Sequence, residues 1–223
     1  MLSQTACDVW VGSRSVRFRD LLARSEVTEI CALRSTFGVM AFHGGNLERM
    51  TDEIAAVAAE RAGASLYAVI QAEPLREHLP SIEVRPEFSS ALAAFLAHVD
   101  VVIAIHGYGR QGMWTDLLLG GTNRTLASHL ALHLRQRLEG YNIVDDLDRI
   151  PADLRGMHCD NPVNGSGRGG VQLELPPRVR GLTPHAASYD RVDGRIEPTN
   201  SLIDAIVSAI TSWPQDREDD LVR

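Results

Sequence analysis

The sequence predicts an α/β fold with a mixed, mainly parallel central sheet flanked by helices. Short apolar runs that suit strands alternate with longer segments whose apolar residues recur at helical spacing. Several of the short runs are continuously apolar, which is typical of strands buried on both faces of a sheet. With 44% hydrophobic and 23% charged residues, the chain can bury a core of its own.

Each predicted element follows from a local pattern along the chain. The first helix ends at Gly63, the second opens at Pro86, and the third has Thr122 and Asn123 near its N-cap. Strands are predicted at 37–43, 65–72, 100–107, 116–121 and 170–176. Helices are predicted at 47–63, 86–99, 122–140 and 199–213.

We expect one domain over residues 1–223, because 223 residues suit one large domain. The segment 161–170 (NPVNGSGRGG) is the most loop-like stretch, and a loop of this composition in a compact domain often carries function. The charged tail at 214–223 is expected to be frayed.

Composition and charge exclude several classes of protein. The net charge of −7 argues against a nucleic-acid binder, and the apolar run at 99–105 is too short to span a bilayer. The cysteines Cys7, Cys31 and Cys159 are few and far apart, without a C-x-x-C pair, which argues against a disulfide framework or a thiolate zinc site and for a reducing compartment. No signal peptide is evident, so we expect a cytoplasmic protein, with release by lysis left open. The oligomeric state does not follow from the sequence.

Two predicted strands each end in a histidine followed by glycine. His43 ends the first strand in FHGG, and His106 ends another in IHG. In open α/β sheets, ligands bind beyond the carboxyl ends of the strands. If the two strands are parallel neighbours, both imidazoles lie at the same edge of the sheet.

Two carboxylates complete the predicted site. Gly44 and Gly45 allow the chain to turn after His43, so Glu48 in the first turn of the next helix can point at the same spot. Two histidines and one glutamate are a known ligand set for catalytic zinc, which leaves one position open for a water of pKa about 7. Glu174 near the end of the late strand is the predicted general base.

Each of these residues also has an ordinary structural interpretation. A histidine at a strand end is often a satisfied structural residue, and Glu48 suits the first turn of any helix. Other catalytic sites fit less well, because the chain lacks a P-loop, a G-x-S-x-G elbow and the H-E-x-x-H signature. The glycines of 165–170 precede a strand, whereas a dinucleotide-binding loop follows one.

Four stretches together resemble the poly-γ-glutamate hydrolase family, whose members are small zinc-dependent proteins of phages and bacteria with a zinc-carboxypeptidase-like fold. They are FHGGNLE, IHGYGR, LLLGG and RGGVQLELP, within a resemblance that covers about residues 36–177. The resemblance implies zinc held by His43, Glu48 and His106, with Glu174 as the catalytic carboxylate. It also suggests His78 and Ser81 as residues that line the pocket.

The substrate implied by the resemblance is a small or oligomeric anionic amide, most simply poly-γ-glutamate. A polyanion needs guanidinium groups, for which Arg110 and Arg168 are the predicted candidates, and Arg124 is a further one. Asn161 and Asn164 are predicted to add neutral hydrogen bonds. Two alternatives stay open: a zinc amidase for small N-acyl amino acids or cell-wall peptides, and a binding module without turnover.

Overall fold

The computed structural model describes residues 16–214, so Cys7 and most of the charged tail lie outside the described part of the chain. Within it, strands and helices alternate as the sequence predicts. The helices are α1 (Val16–Leu22), α2 (Thr51–Ala62), α3 (Ser90–His98), α4 (Arg124–Arg137) and α5 (Glu197–Ser212). The strands are β1 (Val27–Ala32), β2 (Phe37–Gly45), β3 (Ser65–Gln71), β4 (Val101–Gly107), β5 (Asp116–Gly120), β6 (Asn142–Val144), β7 (Gly170–Leu175), β8 (Arg191–Val192) and β9 (Arg195–Ile196).

Seven of these strands form one mixed sheet in the order β1-β3-β2-β4-β7-β5-β6. The four central strands β3, β2, β4 and β7 are parallel to one another. Strand β1 pairs with β3 in antiparallel orientation. Strand β5 is antiparallel to β7, and the edge strand β6 is parallel to β5. The carboxyl ends of β2, β4 and β7 therefore meet at one edge of the sheet, which was the condition for bringing the two predicted histidines together.

Alternation along the strands sends side chains into two cores, one on each face of the sheet. On one face, Val39 and Ile103 pack with residues of α2, α4 and α5. On the other face, Met40 and Val102 pack against Phe95 of α3. All five side chains are fully buried, so the central strands cannot move apart without opening both cores.

The structure corrects the predicted position of Glu48. Helix α2 begins at Thr51, so Glu48 lies in the turn before the helix and not in its first turn. The predicted helix at 86–99 also splits, into a 3-10 turn at Pro86–Phe88 and α3 from Ser90. Ser89 causes the second start, since its side chain accepts a hydrogen bond from the Leu92 N–H as an N-cap.

Several elements have no counterpart among the predicted ones. Helix α1, the short strand β6 and the β8–β9 pair are brief, and β1 (VTEICA) is an edge strand with exposed polar residues. Short or edge elements carry weak apolar patterns, so periodicity does not reveal them. In the described part of the chain, no helix is long and apolar enough to cross a membrane.

The cysteines differ from the expectation of reduced thiols. Cys159 is disulfide-bonded, whereas Cys31 is a free and exposed thiol. Spacing along the sequence cannot predict such a bond, because it depends on where the fold brings two thiols together.

Candidate metal centre

The turn after β2 places Glu48 next to His43, near the end of β2. The Glu48 N–H donates to the His43 carbonyl oxygen at 2.9 Å, and the Asn46 N–H donates to the Gln71 carbonyl at 2.8 Å. Gly45 has a φ of +70°, and a Cβ at this position would lie 2.3 Å from the Gln71 oxygen. Only glycine fits this turn, which explains the second glycine of the HGG motif.

A β-bulge in β2 helps to aim His43. The register between β2 and β3 shifts between Ala41 and Gly44, and His43 lies inside that interval. Bulges commonly re-aim a side chain next to a functional site. The ring of His43 lies 5.0 Å from that of His106, and each forms a T-shaped contact with the ring of Phe42.

Three potential ligands converge at this edge of the sheet. His43 Nδ1 lies 3.0 Å from Glu48 Oε1, and His106 Nδ1 lies 3.4 Å from Glu48 Oε2. Ligand atoms around a tetrahedral zinc at its usual bond lengths are about 3.3 Å apart. The two Nδ1 atoms and the Glu48 carboxylate are therefore spaced as zinc ligands would be, within 4.8 Å of one another.

Hydrogen bonds to the other atoms of His43 and Glu48 fix the orientation of these two side chains. His43 Nε2 lies 2.9 Å from the Leu79 carbonyl, which can only accept, so this nitrogen carries a proton. The Gly107 N–H donates to Glu48 Oε2 at 2.8 Å. A histidine that donates its second N–H to a carbonyl is the usual arrangement at metal sites.

The His43 tautomer with its proton on Nε2 indicates whether these residues fit a metal ion. In neutral His43 the Nδ1 atom carries a lone pair, and it faces a carboxylate oxygen at 3.0 Å. Two lone pairs at this distance repel each other unless a proton or a metal cation lies between them. The donor set, its spacing and this need for a cation fit a zinc ion.

The charges within the cluster shift the pKa values of Glu48 and His106 in opposite directions. Burial raises the pKa of Glu48, but the imidazoles of His43 and His106 outweigh burial and hold that pKa well below its ordinary value. Burial lowers the pKa of His106, but the charge of Glu48 outweighs it and raises that pKa overall. Glu48 is therefore an ionised carboxylate near neutral pH, as a metal ligand must be.

Glu174 lies beside the cluster, as predicted. It is the register partner of His106 across β4 and β7, and only 4% of it is exposed. Burial raises its pKa to about 7. A general base works best with a pKa near the working pH, so this carboxylate suits proton transfer.

A cleft of about 840 Å³ opens over these four residues. His78, Ser81 and Asn161 also line it, and their contact with a substrate stays a prediction. Exposed apolar side chains of Ile82 and Met157 form part of its wall. Ligands of small enzymes bind in clefts of this size.

Comparison with known proteins identifies the family. A family model described as poly-γ-glutamate hydrolase matches residues 23–203. The chain belongs to the poly-γ-glutamate hydrolase family. The match extends beyond the predicted limits of 36 and 177 at both ends. A comparison with curated proteins found no match.

Solved structures share this fold at low sequence identity. A bacteriophage poly-γ-glutamate hydrolase matches with a TM-score of 0.67 and 22% identity, over 82% of this chain and 87% of that one. A structure described as "YNDL-apo (Zinc-free)" matches with a TM-score of 0.66 and 19% identity, over 84% and 91%. Gene product Atu2144 from Agrobacterium tumefaciens matches with a TM-score of 0.51 and 12% identity, over 85% and 96%.

In this member of the poly-γ-glutamate hydrolase family, Arg168 does not line the cleft, contrary to its predicted role in substrate binding. Its N–H donates to the carbonyl of Asp100, just before β4, and its guanidinium lies over the ring of Trp213. The site is at the other end of β4. Because Arg168 precedes β7, it lies at the amino-terminal edge of these parallel strands.

Three other predicted substrate contacts already have partners within the protein. Arg110 forms an ion pair with Asp153, which lines the cleft, so the guanidinium is at the rim and already partnered. Asn164 donates to the carbonyls of Gly156 and His158 and accepts from Thr122, which makes it a loop-stabilising residue. Arg124 likewise donates to the carbonyls of Gly121 and Asp145.

Arg180 is a buried residue of the site that sequence patterns did not reveal. Its guanidinium donates to the carbonyl of Arg49, in the turn with Glu48, and to that of Tyr108, two residues after His106. It therefore joins the two segments that carry ligands. A Cβ on Gly107 would lie 2.5 Å from this guanidinium, so the glycine after His106 makes room for it.

A second cluster of ligand types lies at the edge of the cleft, at His158, Cys159 and Asp160. All three residues are exposed, and Cys159 is disulfide-bonded. A disulfide sulfur is not a thiolate, and the thiolate is the form that binds metals. The cluster of His43, Glu48 and His106 is therefore the better metal site.

Proposed function

We propose that this protein is a zinc-dependent hydrolase that cuts amide bonds, with the γ-glutamyl linkages of poly-γ-glutamate or a related anionic peptide as substrate. The observation that carries the proposal is the convergence of His43, Glu48, His106 and Glu174 in one cleft. Membership of the family supports the hydrolase activity and the substrate class.

His43, Glu48 and His106 would hold the zinc ion, through the two Nδ1 atoms and the carboxylate. When bound, zinc supplies a Lewis acid for the scissile carbonyl and lowers the pKa of a water molecule. The protein keeps the ligands in place beforehand, through the Leu79 carbonyl on His43 and the Gly107 N–H on Glu48. This arrangement reduces the reorganisation needed on metal binding.

Glu174 would serve first as the general base and then as the general acid. It takes a proton from the water whose oxygen attacks the carbonyl carbon, and it delivers this proton to the amide nitrogen as the carbon–nitrogen bond breaks. The products are a carboxylic acid and an amine, so atoms and protons balance. A pKa of about 7 lets Glu174 both accept and release the proton near neutral pH.

Arg110 is the guanidinium that the proposal assigns to the substrate. Its partner Asp153 lines the cleft, and both side chains are substantially exposed. Exposed ion pairs contribute little stability, so a substrate carboxylate can replace Asp153 at low cost. Bidentate binding by arginine suits a carboxylate that recurs along an anionic chain.

The test is an assay of zinc-loaded protein on γ-linked glutamate oligomers, with α-linked oligomers of equal length for comparison. We expect cleavage of the γ-linked series only, and loss of that cleavage in Glu174→Gln. Cleavage of neither series, with stoichiometric zinc present, would refute the proposed substrate. Full activity of Glu174→Gln would refute the assigned base.

One observation favours a second candidate, an amidase for small N-acyl amino acids or cell-wall peptides. Ile82 and Met157 expose apolar side chains in the cleft wall, by 37% and 42%. Such side chains suit an acyl chain or an uncharged residue better than a polyanion. Parallel assays on N-acyl amino acids separate the two candidates.

A further inference from the structure

Strand β7 presents two buried polar side chains on the same face, two residues apart. Gln172 and Glu174 are each only 4% exposed. The Gln172 Nε2 atom donates a hydrogen bond to Glu174 Oε1 at 2.8 Å. One carboxylate oxygen of Glu174 is therefore engaged by the protein, which leaves the other oxygen for a water in the cleft.

Asn161 determines which end of the Gln172 amide faces Glu174. The Asn161 Oδ1 atom accepts from the Val163 N–H at 3.3 Å, and its Nδ2 atom donates to Gln172 Oε1 at 2.7 Å. An amide has a donor end and an acceptor end, so fixing one end fixes the other. The hydrogen bonds thus run in one direction, from the Val163 backbone through Asn161 and Gln172 to Glu174.

Close packing confines the Gln172 side chain to this orientation. Gly156 has a φ of +61°, and a Cβ there would lie 2.4 Å from Gln172 Oε1. The Leu154 carbonyl accepts a further, longer hydrogen bond of 3.4 Å from Gln172 Nε2. The segment around residues 154–161 therefore closes over the amide and leaves it little freedom to rotate.

We propose that Gln172 and Asn161 are positioning residues, which hold Glu174 in the geometry that proton transfer requires. The proposal rests on the proposed role of Glu174 and gives Asn161 a role other than substrate contact. Both groups act through Glu174 and not on the substrate. Misplacing a catalytic group by about 1 Å can cost about 100-fold in rate.

Kinetics of Gln172→Met, Asn161→Ala and the double variant test this proposal, on zinc-loaded protein. We expect Gln172→Met to lower kcat about 10- to 100-fold with KM within about twofold of wild type, since substrate contacts remain. Asn161→Ala should lower kcat as well. When Gln172→Met is already present, adding Asn161→Ala should lower kcat by less than about a further twofold, because both substitutions break the same series of hydrogen bonds to Glu174.

The matched control is Ser65→Ala, at the start of β3 and the opposite edge of the sheet. Ser65 is fully buried and hydrogen-bonded to the Ser35 carbonyl, so its loss also removes a buried hydrogen bond. We expect it to lower the Tm while kcat stays within about twofold of wild type. An unchanged kcat in Gln172→Met would overturn the proposal. It would also be overturned if the loss of kcat in the double variant were the product of the losses in Gln172→Met and Asn161→Ala.

A second measurement does not depend on turnover. Exchange of the Gln172 side-chain amide protons, followed by NMR, should be slow in the wild type and at least about tenfold faster in Asn161→Ala. Equal exchange rates would overturn the proposal even if no substrate were cleaved. Loss of activity in Glu174→Gln with normal activity in Gln172→Met would overturn it while leaving the proposed function intact.

Discussion

His106 and Glu174 face each other as register partners on the adjacent parallel strands β4 and β7. One strand thus supplies a candidate metal ligand and its neighbour supplies the candidate base. The strands are buried on both faces, so the separation of the two groups is set by the sheet itself. A site on central strands is held more precisely than a site on loops.

Metal binding should depend on His43. We expect wild-type protein to bind one zinc ion per chain and His43→Ala to lose stoichiometric zinc, because the site would retain only two ligands. The measurement is metal analysis after dialysis, with His98→Ala as the control because His98 lies at the end of α3, outside the cleft. Equal zinc content in wild type and His43→Ala would contradict the assigned ligands.

Zinc should also stabilise the fold. A ligand that binds only the native state at 100 times its Kd stabilises it by about 2.7 kcal/mol, which is several degrees in Tm. We expect the Tm of wild type to fall on chelation and to recover with added zinc. No shift in wild type, or an equal shift in His43→Ala, would argue against a metal held by His43.

Arg180 should tune metal affinity without touching the metal. Because it joins the carbonyls of Arg49 and Tyr108, its loss should loosen both ligand-bearing segments. We expect Arg180→Met to weaken zinc binding about 10- to 100-fold, in the range for outer residues that orient ligands. Zinc competition titrations measure the effect, and Arg61→Met, on the surface of α2, should leave affinity unchanged.

Gly45→Ala separates backbone strain from steric clash. Gly45 and Gly63 share positive φ values, +70° and +64°, but a Cβ meets the Gln71 backbone only at Gly45. We expect Gly63→Ala to lower the free energy of unfolding by about 1 kcal/mol and Gly45→Ala to lower it by clearly more. Denaturant unfolding measures both, and equal losses would show that the turn before Glu48 is not tightly packed.

The two arginines that the sequence suggests for substrate should behave differently. Arg110→Ala should raise KM for γ-linked oligomers about tenfold with little change in kcat, because a charged hydrogen bond to substrate is lost. Arg168→Ala should change neither constant, since Arg168 lies at the other end of β4. A larger effect from Arg168→Ala than from Arg110→Ala would contradict the assignment.

The strand-end motifs predict that His43, His106 and Glu174 lie at one edge of the sheet. Histidines that end continuous apolar runs must lie at the carboxyl edge once the strands are parallel neighbours, which β2 and β4 are. Apolar spacing predicts that the helix already includes Glu48, because this spacing extends past the true start of α2. The hydrogen bonds of the turn determine where α2 starts, and they produce no periodic pattern of apolar residues in the sequence.

The remaining parts of the site arise from contacts between distant segments. Arg180 and the Asn161–Gln172 pair come from loops and strands that the fold brings together, and no local pattern indicates their partners. The error at Arg168 has a different origin. Its glycine-rich loop precedes a strand that is parallel to β4, and this order alone places it at the edge opposite the site.

Anomalous diffraction at the zinc absorption edge, from crystals of the zinc-loaded protein, shows whether His43, Glu48 and His106 hold a zinc ion. We expect one strong peak about 2.1 Å from His43 Nδ1, from His106 Nδ1 and from a Glu48 oxygen, with Glu174 beside it but outside bonding distance. A peak only at His158 and Asp160, or no peak while His43 and Glu48 stay in direct contact, would contradict it.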